Sequence, residues 1–240
     1  MNSFINFLGN GWWQIILTAV VAYLLGSINF AIIITKIVDK KNDIREMGSG
    51  NAGFTNVLRS VGKGPAVFTI VFDFLKAIIA VIIGGLLFST IVSSNSAQGE
   101  EFVAYGKYLA GLCCIAGHMF PVYFGFKGGK GVVTTAALMA VADWRIFLVM
   151  LGIFGIAFIC SKIISLGSLL CAFSYPIATF LFLYFVDYRI SLGTENVHSF
   201  SYVIISSVFT LFIGLCVIIK HKSNIQRLLN GTEKKITAKK

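Results

Sequence analysis

Charge is scarce in this 240-residue chain: Asp, Glu, Lys and Arg make up 12% of it, ten acidic and twenty basic, against 57% hydrophobic residues. With a mean hydropathy of +0.85, the apolar excess is more than a soluble domain of this size can cover, so an integral membrane protein is indicated. Cysteine is sparse. Cys113, Cys114, Cys160, Cys171 and Cys216 all lie in apolar runs, without metal-ligand spacing or the framework of a small secreted domain. No metal site and no cofactor is expected. The basic residues are scattered over loops and a tail with no aromatic interleaving, which excludes a nucleic-acid partner despite a net charge of +10. Residues 1 to 11 contain no Lys or Arg and the apolar stretch behind them is too long for a signal core, so the first hydrophobic segment is expected to stay in the mature protein. No internal repeat appears, and residues 1–240 read as a single polytopic membrane domain.

A membrane helix needs about 20 apolar residues to cross about 30 Å of hydrocarbon. Spans are predicted at 12 to 38, 66 to 92, 106 to 126, 165 to 187 and 201 to 219. The stretch 131 to 161 is interrupted by ADWR at 142 to 145 and predicts two short halves. With both halves crossing, about seven crossings result, two of them short, in an all-α protein with its N-terminus outside and its C-terminus cytoplasmic; a wholly re-entrant pair at 131 to 161 also fits. That arrangement puts sixteen of the twenty basic residues inside: six from Lys36 to Lys63, then Lys127 and Lys130, Lys162, and seven from Lys220 to Lys240. The excess of Lys and Arg on cytoplasmic loops favours this orientation, whereas a single span at 131 to 161 would put the basic tail on the wrong face.

Three polar segments then share the cytoplasmic side: DIREMGSGNAGFTNVLR at 43 to 59, GHMFPVYFGFKGGKG at 117 to 131 and HKSNIQRLLNGTE at 221 to 233. Irregular backbone at membrane depth is tolerated only where it is buried in protein or lines a wet cavity, so a shared site is expected there. In FKGGKG, Gly128, Gly129 and Gly131 flank Lys127 and Lys130 ahead of an apolar helix, an arrangement suited to an anion. Gly131 stands where a Walker A loop has Ser or Thr, so this is not that loop. A helix starting near Asn51 or Gly53 puts Thr55 and Arg59 on one face, with Asn56 beside them and Ser49 at the turn. These are donors suited to a phosphate ester. In the tail, His221 and Asn224 share a helix face near Arg227, and His118 sits at the inner end of the third span beside the glycines. Asp73 and Lys76 form an i, i+3 pair within a span that reads as mutual neutralisation, while Lys40, Lys41, Asp43, Arg45 and Glu46 read as a solvated mixed-charge face. A small-anion transporter is the alternative these features allow, although no broken-helix pair recurs in two halves.

The ordered set GSGNAGFTNVLR, GHMFPVYFGFKGGKGVVT and HKSNIQRLLNGTE, with GSINFA in the first span, closely resembles the bacterial PlsY family of acyl-phosphate:glycerol-3-phosphate acyltransferases over nearly the whole chain. Asn29 stands where the family usually has proline, Phe54 where it has alanine and Lys222 where it has arginine. The resemblance implies transfer of a fatty acyl group from acyl phosphate to the C1 hydroxyl of glycerol 3-phosphate, giving lysophosphatidic acid and phosphate at the cytoplasmic face of a bacterial cell membrane. It implies catalytic roles for Ser49, Arg59, His221 and Asn224. It assigns phosphate binding to Asn56, Lys127, Gly128, Gly129, Lys130 and Gly131 and a structural role to Glu233, and the chemistry of the polar segments adds Asn51, Thr55 and His118 as substrate-binding candidates. The implied partners are the two substrates and membrane lipid. Acyl phosphate carries its own leaving group, so no covalent acyl-enzyme is required. No Cys sits beside a His, no G-x-S-x-G elbow occurs, and no His has the Asp of the H-x4-D dyad used by other glycerolipid acyltransferases.

Overall fold

The structure is a computed structural model that describes residues 8–92 and 96–236; Lys239 and Lys240, counted above among the cytoplasmic cations, lie outside the described residues. Every regular element among the described residues is helical. The principal ones are α1 (Trp12–Ser27), α2 (Phe30–Val38), α3 (Phe54–Ser60), α4 (Lys63–Ser89), α5 (Ala97–Met119), α6 (Val132–Ala142), α7 (Trp144–Ser161), α8 (Ile164–Phe182), α9 (Phe200–Lys220) and α10 (Lys222–Leu229). Among them, five stretches are long and apolar enough to cross a membrane: Trp12–Val38, Lys63–Ser89, Trp144–Ser161, Ile164–Ser191 and Phe200–Lys220. Large apolar side chains such as Ile16, Phe72, Ile156, Phe173 and Phe212 are exposed along these helices, as a lipid-facing surface requires.

Helix α5 is the hub, packed against α1, α4, α6 and α9. Its contacts with α1 and α4 run through small residues. A Cβ on Gly26 would fall 2.1 Å from the Cys114 carbonyl oxygen, and one on Gly84 would fall 2.5 Å from that of Gly106. Helices thereby approach backbone to backbone, the usual means of association where lipid removes the hydrophobic drive. The span predicted at 106 to 126 falls on α5, which starts nine residues earlier, ends at Met119 and is not one of the five stretches above. The polar residues in the first half of this helix are satisfied internally. Glu101 accepts from the Ser199 amide (2.6 Å) and hydroxyl (2.9 Å), and Lys107 donates to the Val141 carbonyl (3.1 Å).

The stretch 131 to 161 is two helices. At the start of α6, a Cβ on Gly131 would meet Met119 and Ile115 near the end of α5; further on, Leu138 packs on Gly111 and Val141 accepts from Lys107. Thus α6 runs antiparallel to α5. At its far end Asp143 caps α7 through the Arg145 amide, and Arg145 bonds Asp143 and, bidentately at 2.8 Å, Asp187. The chain then returns, so that Lys162 accepts from Ile236 (2.8 Å) at the end where α6 began.

The span predicted at 12 to 38 is interrupted. Ser27 ends α1, and Asn29 takes an extended conformation and caps α2, its side chain accepting from the Ile32 amide (3.2 Å). Capping by Asn is a strong helix start, and it restarts the helix at the position where the resembled family has proline.

Candidate active site

The first polar segment is folded by one side chain. Asn56, buried in α3, accepts from the Ser49 amide (2.9 Å) through Oδ1 and donates through Nδ2 to the Ile44 (3.0 Å) and Met47 (2.9 Å) carbonyls. A buried amide with its groups paired in this way fixes the loop it touches. Gly48 follows from that contact. Its φ is +56°, and a Cβ would lie 2.4 Å from Asn56 Oδ1, so only glycine fits. Ser49, Asn51, Thr55 and Arg59 are thereby set on the wall of a cavity. Arg45 is not part of a merely solvated face: it pairs with Asp43 at 2.7 Å and donates to the Phe124 carbonyl (2.7 Å), tying the first segment to the second.

The second segment turns back on the end of α5. The Gly129 amide donates to the His118 carbonyl (3.0 Å), and a Cβ on Gly128 would stand 2.1 Å from that oxygen. Behind His118, Lys76 and Asp73 pair at 2.7 Å, the two side chains only 4% and 3% exposed. Lys130 lies on the cavity wall and donates to Asn224 Oδ1. Lys127 is exposed and does not lie on that wall.

The third segment is organised by Glu233, which accepts from Ser165 (2.8 Å), Asn224 (2.7 Å) and Arg227 (2.6 Å). Burial alone would raise its pKa, but the hydrogen bonds from Arg227, Ser165 and Asn224 outweigh that and hold it below the usual carboxylate range. Asn224 therefore links the carboxylate to Lys130. Burial, with Arg227 and Arg59 close by, pushes the Lys130 ammonium down to about 8 against the pull of Glu233. Burial also pushes His221 down to about 4, so its ring is neutral at pH 7. His221 Nδ1 lies 2.7 Å from the Val217 carbonyl. A carbonyl only accepts, so Nδ1 carries the proton and Nε2 is a bare acceptor.

These groups surround the head of a cavity of about 580 Å³, into which Ser49, Arg59, Lys130, His221, Asn224 and Arg227 all face. From there it descends between α6, α7, α8 and α9 past Phe158, Phe154, Cys171 and Met150 to Phe147 and Tyr175. Ser165, beside Glu233, and Tyr175 are ten residues apart on α8, about 15 Å at 1.5 Å per residue. That is half the hydrocarbon thickness of a bilayer, the depth of one leaflet. Sequence reasoning missed Ser165, which carries no signal inside an apolar run, and the part Arg45 plays in joining two loops.

A polar head rich in cations and donors, opening onto an apolar slot of leaflet depth, defines a membrane protein suited to a lipid-like anion. The glycerol-3-phosphate acyltransferase family matches residues 16–231, and the chain belongs to that family. It is 35% identical over 230 residues to the glycerol-3-phosphate acyltransferase of Halalkalibacterium halodurans, covering 96% of this chain and 97% of that one. With the Clostridioides difficile enzyme of that name it shares 38% identity over 225 residues, 94% and 97% of the two chains. Among solved structures it is similar to PlsY, an integral membrane glycerol 3-phosphate acyltransferase. The TM-score is 0.72 at 33% identity for the glycerol 3-phosphate form and 0.69 at 31% for the lysophosphatidic acid form. Each comparison covers 93% of this chain, and 96% and 95% of the respective PlsY chains.

Proposed function

We propose that this protein transfers a fatty acyl group from acyl phosphate to the C1 hydroxyl of glycerol 3-phosphate, releasing lysophosphatidic acid and phosphate. The observation that carries this reading is the junction of head and slot: a phosphate-suited cluster of Ser49, Arg59, Lys130 and Asn224 stands directly over an apolar channel of leaflet depth. Both substrates bear phosphate, and only one bears an acyl tail. The tail occupies the slot, which brings the acyl carbonyl to the level of Lys130 and His221. Glycerol 3-phosphate enters from the polar side, its phosphate taken by Arg59, Ser49 and Thr55. Asn56 and Gly48 shape the loop that carries those groups.

The C1 oxygen attacks the acyl carbon, the carbonyl-to-phosphate C–O bond breaks, and the hydroxyl proton ends on the departing phosphate. The bare Nε2 of His221 accepts the hydroxyl hydrogen bond and aims the nucleophile. With its pKa near 4 His221 is a weak base, which makes a phosphate oxygen of the donor the better final acceptor. Lys130 and Arg59 neutralise the charge on the two phosphates. Cys171, the wall cysteine in the apolar part, gives its thiol to the Met150 carbonyl (3.2 Å), and no acyl-enzyme is formed. The seven-crossing topology, with the N-terminus outside and this site on the cytoplasmic face of a bacterial membrane, belongs to the same reading and is supported by the basic residues gathered at the site end.

The test is to incubate purified protein in detergent with palmitoyl phosphate and radiolabelled glycerol 3-phosphate and to separate the lipids by chromatography. Labelled lysophosphatidic acid from wild type but not from Arg59→Ala is the expected result. Absence of product across a range of chain lengths, with transport of glycerol 3-phosphate into sealed vesicles, would replace the enzyme with a transporter.

A further inference from the structure

The interruption of the first span frees carbonyls that a continuous helix would use. Lys76 takes two of them: its Nζ lies 3.0 Å from Gly26 O and 2.5 Å from Ile28 O. The same nitrogen is 2.7 Å from Asp73 Oδ1 and 3.2 Å from His118 Nδ1. An ammonium has three protons and no lone pair, so the three groups it bonds, Gly26 O, Ile28 O and His118 Nδ1, are all acceptors, while Asp73 Oδ1 is its ion-pair partner without a hydrogen bond. His118 Nδ1 is therefore unprotonated, and the neutral ring carries its proton on Nε2. Asp73 Oδ1, at 3.7 Å from Nδ1, is too distant to stabilise the other tautomer by a hydrogen bond. The Nε2 edge lies against the glycine loop: a Cβ on Gly129 would come within 2.2 Å of it and 2.6 Å of Ala52 O. Asn29, at the same interruption, donates to Ala52 O (3.4 Å), so both substrate loops meet at this cluster. His221 is arranged in the opposite sense, protonated at Nδ1 and bare at Nε2.

We propose that Lys76 is a positioning residue that locks His118 as the Nε2–H tautomer, so that the glycine loop offers a neutral donor to the phosphoryl group of the acyl donor. The two cavity histidines then divide the work. His118 gives a hydrogen bond to the leaving group and His221 receives one from the nucleophile. The assignment rests on the acyl-transfer reading for its chemistry but not for its geometry. It differs from simple charge neutralisation of Asp73, which needs no contact to His118 or to the freed carbonyls.

The experiment combines ring-nitrogen NMR with kinetics. The protein has three histidines, His118, His198 and His221, so 15N-histidine labelling in detergent gives few signals, assigned by His118→Gln and His221→Gln. The expected wild-type spectrum shows His118 protonated at Nε2 and His221 at Nδ1; His118 protonated at Nδ1 overturns the proposal whatever the activity. The double variant Asp73→Asn, Lys76→Met removes both charges together. Its KM for palmitoyl phosphate is expected to rise about tenfold or more, the loss of one hydrogen bond to a charged group, while that for glycerol 3-phosphate changes less. The double variant with both KM values unchanged means that the pair only neutralises itself, and overturns the proposal. Should the double variant fail to fold, His118→Gln decides. Its amide N–H stands near the Nε2 position, and it is expected to hold a lower palmitoyl phosphate KM than His118→Leu; equal values overturn the proposal. A wild type that makes no lysophosphatidic acid sinks the acyl-transfer reading instead, and leaves the tautomer result standing.

Discussion

Lys130 offers the most direct test of the site's electrostatics. Its ammonium is pushed from 10.5 down to about 8 by burial, with Arg227 and Arg59 adding repulsion and Glu233 opposing it. At 1.36 kcal/mol per unit of pKa, keeping this charge unpaired by a phosphate costs about 3 kcal/mol. The folded value lies below the unfolded one, so the folded protein sheds this proton first: the penalty is fully present below pH 8 and fades as pH rises toward 10.5. Phosphate binding runs the other way. A phosphate oxygen held by the charged form gains a charge-assisted hydrogen bond of about 1.5–3 kcal/mol. Deprotonation therefore lowers kcat/KM for acyl phosphate by about ten- to a hundredfold. The assay is kcat/KM in detergent from about pH 6.5 to about pH 9.5, which reports the ionisation of the free enzyme. A falling limb is expected near pH 8. Glu233→Gln moves it lower, because the carboxylate that favours the charged form is gone. Lys130→Arg abolishes it, because guanidinium does not titrate in this range. A wild-type profile flat through about pH 9, or a limb unchanged in Lys130→Arg, refutes the reasoning.

Four further outcomes are expected. Gly129→Ala puts a methyl against His118 Nε2 and the Ala52 carbonyl; because a backbone atom cannot swing away, the palmitoyl phosphate KM rises more than about tenfold. Gly125→Ala, with φ +64° but open space around it, costs only about 1 kcal/mol and, read by thermal unfolding and KM, leaves substrate binding alone. Ala172→Phe fills the slot part-way down; if about four methylenes lose their contacts at about 0.8 kcal/mol each, preference shifts strongly from palmitoyl to decanoyl phosphate, and unchanged chain-length selectivity rules out the slot as the tail site. Trp144, 66% exposed at the turn between α6 and α7, is expected as Trp144→Cys to react with impermeant thiol reagents from outside; labelling from the cytoplasm alone refutes the seven-crossing topology.

The amphipathic logic of the chain made much of this legible. Long apolar runs identified the rods, and polar glycine-bearing interruptions identified the end where the polar head of the cavity forms. What stayed hidden was long-range partnering. Nothing local shows that Glu101 and Lys107, both in α5, are satisfied by Ser199 and Val141. The interruption at Ile28 lies in an apolar run, and Asn29 marks it only through a cap seen in three dimensions. Spacing does disclose that Asp73 and Lys76 pair. It cannot disclose that the same ammonium bonds carbonyls 48 and 50 residues away. Asn56 was visible as a phosphate donor, yet its hydrogen bonds go to the loop backbone, which depends on a fold of residues 44–49 that no local pattern specifies.

The apolar slot has a kinetic corollary. A donor whose tail is drawn from one leaflet reaches the site by diffusing in two dimensions, so its effective concentration is a mole fraction of the surrounding lipid or detergent rather than a bulk molarity. Adding inert amphiphile at fixed acyl phosphate therefore dilutes one substrate and leaves water-soluble glycerol 3-phosphate untouched. On the proposed reading, the same coupling makes the rate of acylation in a cell respond to the area of membrane already made.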